Sequence, residues 1–350
     1  MPDYPSSLRS ASRNLRLSDR LLAHHAMALP FSAVQEARAL LARHLPVTRL
    51  VEAPSLSRRA RSNVWLKLES DLPTGSFKPR GALYALSVNL ARRKIREVVA
   101  SSTGNHGAAV AYAAHRLGVP ATIFLPENPN PVKRQRIAEL GARIVETGTG
   151  CDLAAAFQAA SDYARTEGVF FLNDATDPDL PAGPATIACE ILQQLPEANT
   201  IYVPMGDTAL IRGVAAAAKH LSPTIKIIGV QAERAPAYYL SWKQGRPVTT
   251  ETCDTIADGL ATRTPDAENV VAIRELVDDV RLVSEHQMLA AIRHLLLQEH
   301  VVAEPAGAAA TAALLQAGAP TGSNIVVLVT GANVIPEVLQ RAVCREVANG

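Results

Sequence analysis

The sequence predicts an α/β protein built on mainly parallel sheet, and two patterns carry that expectation. Short β-branched segments alternate with longer helical ones, and the loops richest in glycine, serine and threonine each follow a strand and open a helix. Alternation of this kind builds right-handed βαβ units. Parallel sheets bind ligands in loops at the carboxyl ends of their strands, where helix amino termini offer free N–H groups.

Taken in order, residues 1–26 stand apart, with Arg9, Arg13, Arg16 and Arg20 against only Asp3 and Asp19. A loosely ordered extension is expected there, although an Arg/Ser-rich, acid-poor start also fits a transit peptide. Met27–Ser32 reads as a natural start, and Ser32 predicts a cap for an amphipathic helix from Ala33 to His44. Asn63–Glu69 alternates as a strand with one buried face. Thr74-Gly75-Ser76 supplies turn and cap chemistry, and Gly81–Leu86 begins a helix whose first turn holds Lys78. Further strands are predicted at Glu97–Ser101, Ala121–Leu125, Ala142–Glu146, Thr200–Pro204, Lys226–Val230 and Asn324–Val329. Helices are predicted at His106–Leu117, Val132–Leu140, Leu153–Arg165, Ala182–Leu195 and Leu210–His220.

Composition narrows the function. Hydrophobic residues make up 48%, charged residues 19%, and the net charge is +2. With few aromatics and no basic run, nucleic acid is not expected as a partner. No apolar run is long enough to cross a membrane, so none is expected as a partner. Cys151, Cys189, Cys253 and Cys344 are scattered without a C-x-x-C pair, so neither a zinc site nor a disulfide framework is signalled, and a cytoplasmic setting is expected.

Four loops carry chemistry. Thr74–Arg80 places Lys78 at a strand–loop–helix junction, where a lysine freed of solvent or set near positive charge becomes a nucleophile. An ordinary solvated lysine would read the same way in isolation. Ser102-Thr103-Gly104-Asn105-His106-Gly107 brings two hydroxyls, an amide and an imidazole to outward-pointing N–H groups, a cradle for a carboxylate. Met205–Leu210 is the best candidate for a phosphate cup, and Thr330-Gly331-Ala332-Asn333 makes a further turn after a strand. No G-x-x-x-x-G-K is present, and Gly148-Thr149-Gly150 lacks the third glycine of a dinucleotide fingerprint, which demotes kinases and nicotinamide dehydrogenases.

As a set, these motifs resemble the fold type II pyridoxal-phosphate enzymes, in particular the serine/threonine dehydratase and serine racemase branch, over about residues 30 to 345. The resemblance implies pyridoxal 5'-phosphate as cofactor, joined to Lys78 as a Schiff base, with Phe77 packing against its ring. It implies that Asn105 bonds the ring hydroxyl, that Gly206, Asp207, Thr208 and Ala209 hold the phosphate, and that Thr330 faces the ring nitrogen. Ser102, Thr103, Gly104, Asn105 and His106 would hold the substrate carboxylate. Thr255–Ala261, with Gly259, resembles the family's A-D-G segment, and Glu304-Pro305-Ala306-Gly307-Ala308 its E-P-x-G-A turn, although Glu304 could instead cap the next helix.

The implied fold is tryptophan synthase β-like: two open, mainly parallel α/β domains with the cofactor in the cleft between them. Residues 97–172 would form the small domain, and 27–96 with 173–350 the large one. The implied activity is a dehydratase (ammonia-lyase) converting a β-hydroxy L-amino acid such as threonine, serine or phenylserine to a 2-oxo acid and ammonia, in a homodimer. A racemase, a β-replacement enzyme or a non-catalytic binding protein of the same fold are the alternatives, and His106 argues against β-replacement.

Three departures qualify the resemblance. Gly-Asp-Thr-Ala stands where the dehydratases carry glycines, and Asp207 is expected to turn outward, because a carboxylate facing phosphate is repelled. Ala182-Gly183-Pro184-Ala185-Thr186 carries a proline that removes a donor, next to the Asn173–Thr176 stretch that shapes the substrate pocket. Thr103 replaces the racemase serine, so racemisation is not expected. Gln231 and Ala237 occupy the positions of that branch's acidic metal ligands, and no metal site is expected.

Overall fold

The chain was analysed as a computed structural model, which describes residues 29–102, 104–127, 129–148, 153–317 and 322–344. The expectations for residues 1–26 and for Thr103 lie outside the described residues. Strands β1 (Leu50–Glu52) and β2 (Asn63–Leu68) open one sheet. The chain then leaves it to form a second sheet from β3 (Glu97–Ser101), β4 (Ala121–Leu125), β5 (Arg143–Glu146) and β6 (Val169–Phe171), all parallel, in the order β5-β4-β3-β6. It returns with β7 (Thr200–Pro204), β8 (Lys226–Ala232), β9 (Asp279–Val283) and β10 (Asn324–Val329), giving the order β1-β2-β10-β7-β8-β9. Only β1 runs antiparallel.

Helices fill the connections: α1 (Phe31–Leu41), α2 (Pro54–Ala60), α3 (Pro79–Arg92), α4 (Asn105–Leu117), α5 (Pro131–Glu139), α6 (Leu153–Tyr163), α7 (Ala182–Gln194), α8 (Ala209–Leu221), α9 (Ala237–Gln244), α10 (Ala267–Leu276), α11 (Glu285–Gln298), α12 (Pro305–Ala317) and α13 (Pro336–Val343). β10 shows why the larger sheet is stable. Ile325, Val327 and Val329 pack into one layer with the alanines of α12, while Val326 and Leu328 pack into the opposite layer with Ile187 of α7 and Val214 of α8. A parallel strand buried on both faces needs this unbroken apolar run.

Two cap expectations are corrected. Helix α1 starts at Phe31 after Pro30, with no side-chain cap, so Ser32 lies inside it. Helix α3 has Lys78 itself at its cap and Pro79 at its first position, whose fixed φ suits a helix start. The Thr74–Phe77 turn does other work. It is stitched to the end of β10, where the Phe77 N–H donates to the Thr330 carbonyl (3.0 Å) and the Ala332 N–H to the Gly75 carbonyl (2.9 Å). Lys78 therefore starts a helix pinned to the sheet. Farther on, Leu83 and Leu86 of α3 pack with Val98, Ile123 and Leu125 of the four-stranded sheet.

A buried ionic network fixes this junction. Arg80 is 1% exposed and lies beside Glu69 at the end of β2 and Glu190 on α7. Its Nε donates to Glu69 (2.7 Å), and its Nη1 donates to Glu190 (2.6 Å) and to the Thr186 hydroxyl (3.0 Å). Lys67 adds a bond to Glu190 (2.6 Å), and the Thr48 hydroxyl donates to Glu69 (2.7 Å). Burial alone would lower the Arg80 pKa, but the two carboxylates raise it above its ordinary value. Removing one partner of such a set leaves uncompensated buried charge. Arg80→Met should therefore cost about 3–5 kcal/mol, read as a fall in the urea unfolding midpoint; an unchanged midpoint would show the network to be energetically neutral.

Candidate active site

The predicted loops converge on one pocket. It is lined by Phe77 and Lys78 before α3, Ser102, Gly104, Asn105 and His106 at the start of α4, Gly206, Asp207, Thr208 and Ala209 at the start of α8, and Gly259, Glu304 and Thr330. The Ser102, Gly206 and Thr330 groups arrive by the same local rule, in which a strand ends and a loop turns toward a helix, whereas Gly259 and Glu304 come from connections between helices.

Lys78 Nζ donates to Asp174 Oδ2 at 2.6 Å, with both side chains about a fifth exposed. Asp174 also lies 3.9 Å from His106 Nδ1. Burial alone would raise the Asp174 pKa, but His106 and Lys78 hold it well below the usual carboxylate range. The His106 Nε2 contacts the Leu172 carbonyl at 2.8 Å and so carries the hydrogen. Burial pushes the His106 pKa down, which keeps the ring neutral.

A second cluster lies opposite. Asn105 donates from Nδ2 to Glu304 and accepts at Oδ1 from Asn333 Nδ2 (2.8 Å). Glu304 is buried, and burial raises its pKa. Its Oε2 has no hydrogen-bond partner, and the nearest cation is Lys133 Nζ at 3.4 Å. Lys133, 4% exposed on its side chain, also donates to Asp258 at 2.6 Å. Glu304 does not cap α12; its carboxylate reaches across to Asn105 instead.

The Gly206–Ala209 loop forms a cup at the amino terminus of the 13-residue α8. A side chain at Gly206 would sit 2.3 Å from the Gly259 carbonyl, so this close approach requires glycine. Thr208 adopts φ 70°, a left-handed conformation costly for a β-branched residue. Its hydroxyl accepts from Arg212 Nε at 3.1 Å, and Arg212 Nη2 reaches the Ala175 carbonyl at 3.4 Å.

Asp207 corrects an expectation: it lines the pocket instead of turning outward. Its Oδ1 accepts from the Thr262 hydroxyl at 2.9 Å. Burial and the nearby Asp174 push its pKa up to about 6, against the opposing pull of Lys78, Thr262 and Arg212.

The chain belongs to the family of pyridoxal-phosphate dependent enzymes, whose pattern matches residues 41–331. Its relatives lie in the serine/threonine dehydratase and serine racemase branch. It is 37% identical over 287 residues to an L-threonine ammonia-lyase of Geobacter sulfurreducens, spanning 82% of this chain and 71% of that one. To the L-threonine ammonia-lyase of Thermotoga maritima it is 34% identical over 310 residues, 89% of this chain and 77% of the other. Among solved structures, maize serine racemase superposes with a TM-score of 0.84 at 29% identity, covering 90% of this chain and 97% of that chain.

The pocket suits the family's cofactor. Lys78 supplies an amine, the amino terminus of α8 offers N–H groups at the Gly206–Ala209 turn, and Thr330 supplies a hydroxyl. Glu304 Oε2 is a buried acceptor still in need of a donor. Asp207 is the one misfit of charge, and Arg212 lies close enough to offset part of it.

Lys133, Thr262 and Arg212 are site residues that the motifs missed, whereas Asp258 lies in the A-D-G segment. Lys133 follows β4 at the start of α5, so the strand–loop–helix rule could have found it. Thr262 carries no local signal, because its contact with Asp207 spans 55 residues, while Arg212 lies one helical turn beyond Thr208 on α8.

The raised pKa of Asp207 has a stability consequence of definite sign. The folded state retains a proton between the ordinary carboxylate value and about 6, so stability falls as pH rises through that window. Asp207→Asn should raise the urea midpoint of the cofactor-free protein near pH 8 and leave it unchanged near pH 3. Equal shifts at both would place the carboxyl at its ordinary pKa.

Proposed function

We propose that this protein is a pyridoxal-phosphate-dependent ammonia-lyase that converts a β-hydroxy L-amino acid, L-threonine foremost, to a 2-oxo acid and ammonia. The observation that carries the reading is the Lys78 amine inside a pocket that also receives the amino terminus of α8. The threonine ammonia-lyase relatives support the substrate class. The two sheets support a division into a small domain over residues 97–172 and a large one made of residues 27–96 and 173–350.

Lys78, Asn105, Gly259, Glu304, Thr330 and the Gly206–Ala209 loop would hold the cofactor, with Phe77 packing beside it. When bound, the cofactor supplies a covalent carbonyl anchor and an electron sink. Ser102 and Asn105 present a hydroxyl and an amide for the substrate carboxylate, the Gly104 N–H holds Ser102 Oγ at 3.0 Å, and His106 anchors the loop through its bond to the Leu172 carbonyl. Lys78 Nζ takes the α-proton as general base. Asp174, ionised beside it, aims that amine into the pocket and steadies its ammonium form. The neutral Thr330 hydroxyl, 4% exposed, places no formal charge at its end of the pocket. For L-threonine the products are 2-oxobutanoate and ammonia, with no net water consumed.

Lys78→Ala should abolish ammonia release from L-threonine, a loss of at least ~10²–10⁴-fold, together with the visible absorbance of bound cofactor, while far-ultraviolet circular dichroism stays unchanged. Substantial turnover by this variant without added amine would refute the assignment.

A further inference from the structure

Resting on the dehydratase reading, we propose that Asp207 is the acid that protonates the departing β-hydroxyl. The C–O bond breaks with its electron pair going to oxygen, the Asp207 proton completes a water molecule, and the α-proton taken by Lys78 replenishes the acid.

The geometry supports this. A carboxyl group sits in the pocket at a cup whose task of holding phosphate gives it no purpose. Thr262 pins Oδ1 at 2.9 Å, and Asn269 Nδ2 reaches the Asp207 carbonyl at 3.5 Å, so the side chain is held in place. The groups that feel it come from every surrounding element: Lys78 at the start of α3, Asp174 before α7, Arg212 on α8, Tyr238 on α9, Cys253 in the following loop, and Thr262. A helix amino terminus ordinarily favours the ionised form. Here burial and Asp174 outweigh it, and the proton is retained up to about pH 6. Asp174, steadied by Lys78, stays ionised. Two carboxyls in one pocket are thus driven to opposite protonation states, the pattern that separates an acid from a base.

The test compares leaving groups. Hydroxide needs a proton to depart; chloride does not. In the holoenzyme, Asp207→Asn should lower kcat for L-threonine at least ~10²-fold more than kcat for β-chloro-L-alanine. The alkaline limb of the threonine kcat profile should disappear in this variant. In Thr262→Val that limb should move to higher pH, because a bond favouring the ionised form is gone. Titration of the apo-protein with pyridoxal phosphate should give an affinity within about tenfold of the unsubstituted protein. A parallel fall for both substrates, an unaffected threonine rate, or a cofactor affinity that accounts for the loss would each overturn the proposal alone. Turnover of neither substrate by the unsubstituted protein would overturn the dehydratase reading, and the proposal with it.

Discussion

The site depends first on the Arg80 guanidinium. It lies two residues beyond Lys78 and is gripped by Glu69 from the end of β2 and Glu190 from α7. Three elements distant in sequence are thereby set at fixed distances. The helix that Lys78 begins can neither rotate nor slide without breaking charge-assisted bonds in a water-poor region, where they are strong and costly to leave unmade. Close backbone packing reinforces the lock: a side chain at Gly183 on α7 would fall 2.2 Å from the Arg80 carbonyl. Placement of the Lys78 amine is thus a property of the core.

The pocket itself is governed by unequal charge. Asp174, Asp207, Asp258 and Glu304 line it, against Lys78 and Lys133. Such crowding cannot leave every carboxyl ionised, and the chain resolves it by environment. Asp174 keeps a direct lysine partner and ionises easily, while Asp207 and Glu304, more poorly compensated, hold their protons to higher pH. Burial is common to all three; the partner distinguishes them. Arg212, bonded among the described residues to the Thr208 hydroxyl and the Ala175 carbonyl, brings positive charge near Asp207.

Much of this was legible in the sequence, for physical reasons. Glu97–Ser101, Ala121–Leu125, Thr200–Pro204 and Asn324–Val329 are observed with the predicted bounds, because doubly buried parallel strands leave unbroken apolar runs. Leu50–Glu52 and Val169–Phe171 escaped notice, since three residues cannot show a period. Asp279–Val283 was hidden by its own charges, which an edge strand tolerates. The loops that gather at the pocket were found by glycine and hydroxyl content after a strand. The orientation of Asp207 was misjudged, because repulsion by a phosphate was weighed and the Thr262 hydroxyl, 55 residues away, could not be. Lys133 looked like any solvated helix lysine until the fold brought Asp258 and Glu304 to it.

That lysine has a mechanical implication. Lys133 belongs to α5, which follows a strand of the four-stranded sheet, yet its ammonium group reaches Asp258 and Glu304 on the side of the six-stranded sheet. It acts as a bolt drawn across the mouth of the cleft. Any movement of α5 away from Asp258 and Glu304 must pull a cation that is 4% exposed on its side chain from two anions. The resistance to that movement is electrostatic, because it comes from breaking an ion pair whose cation is almost fully buried.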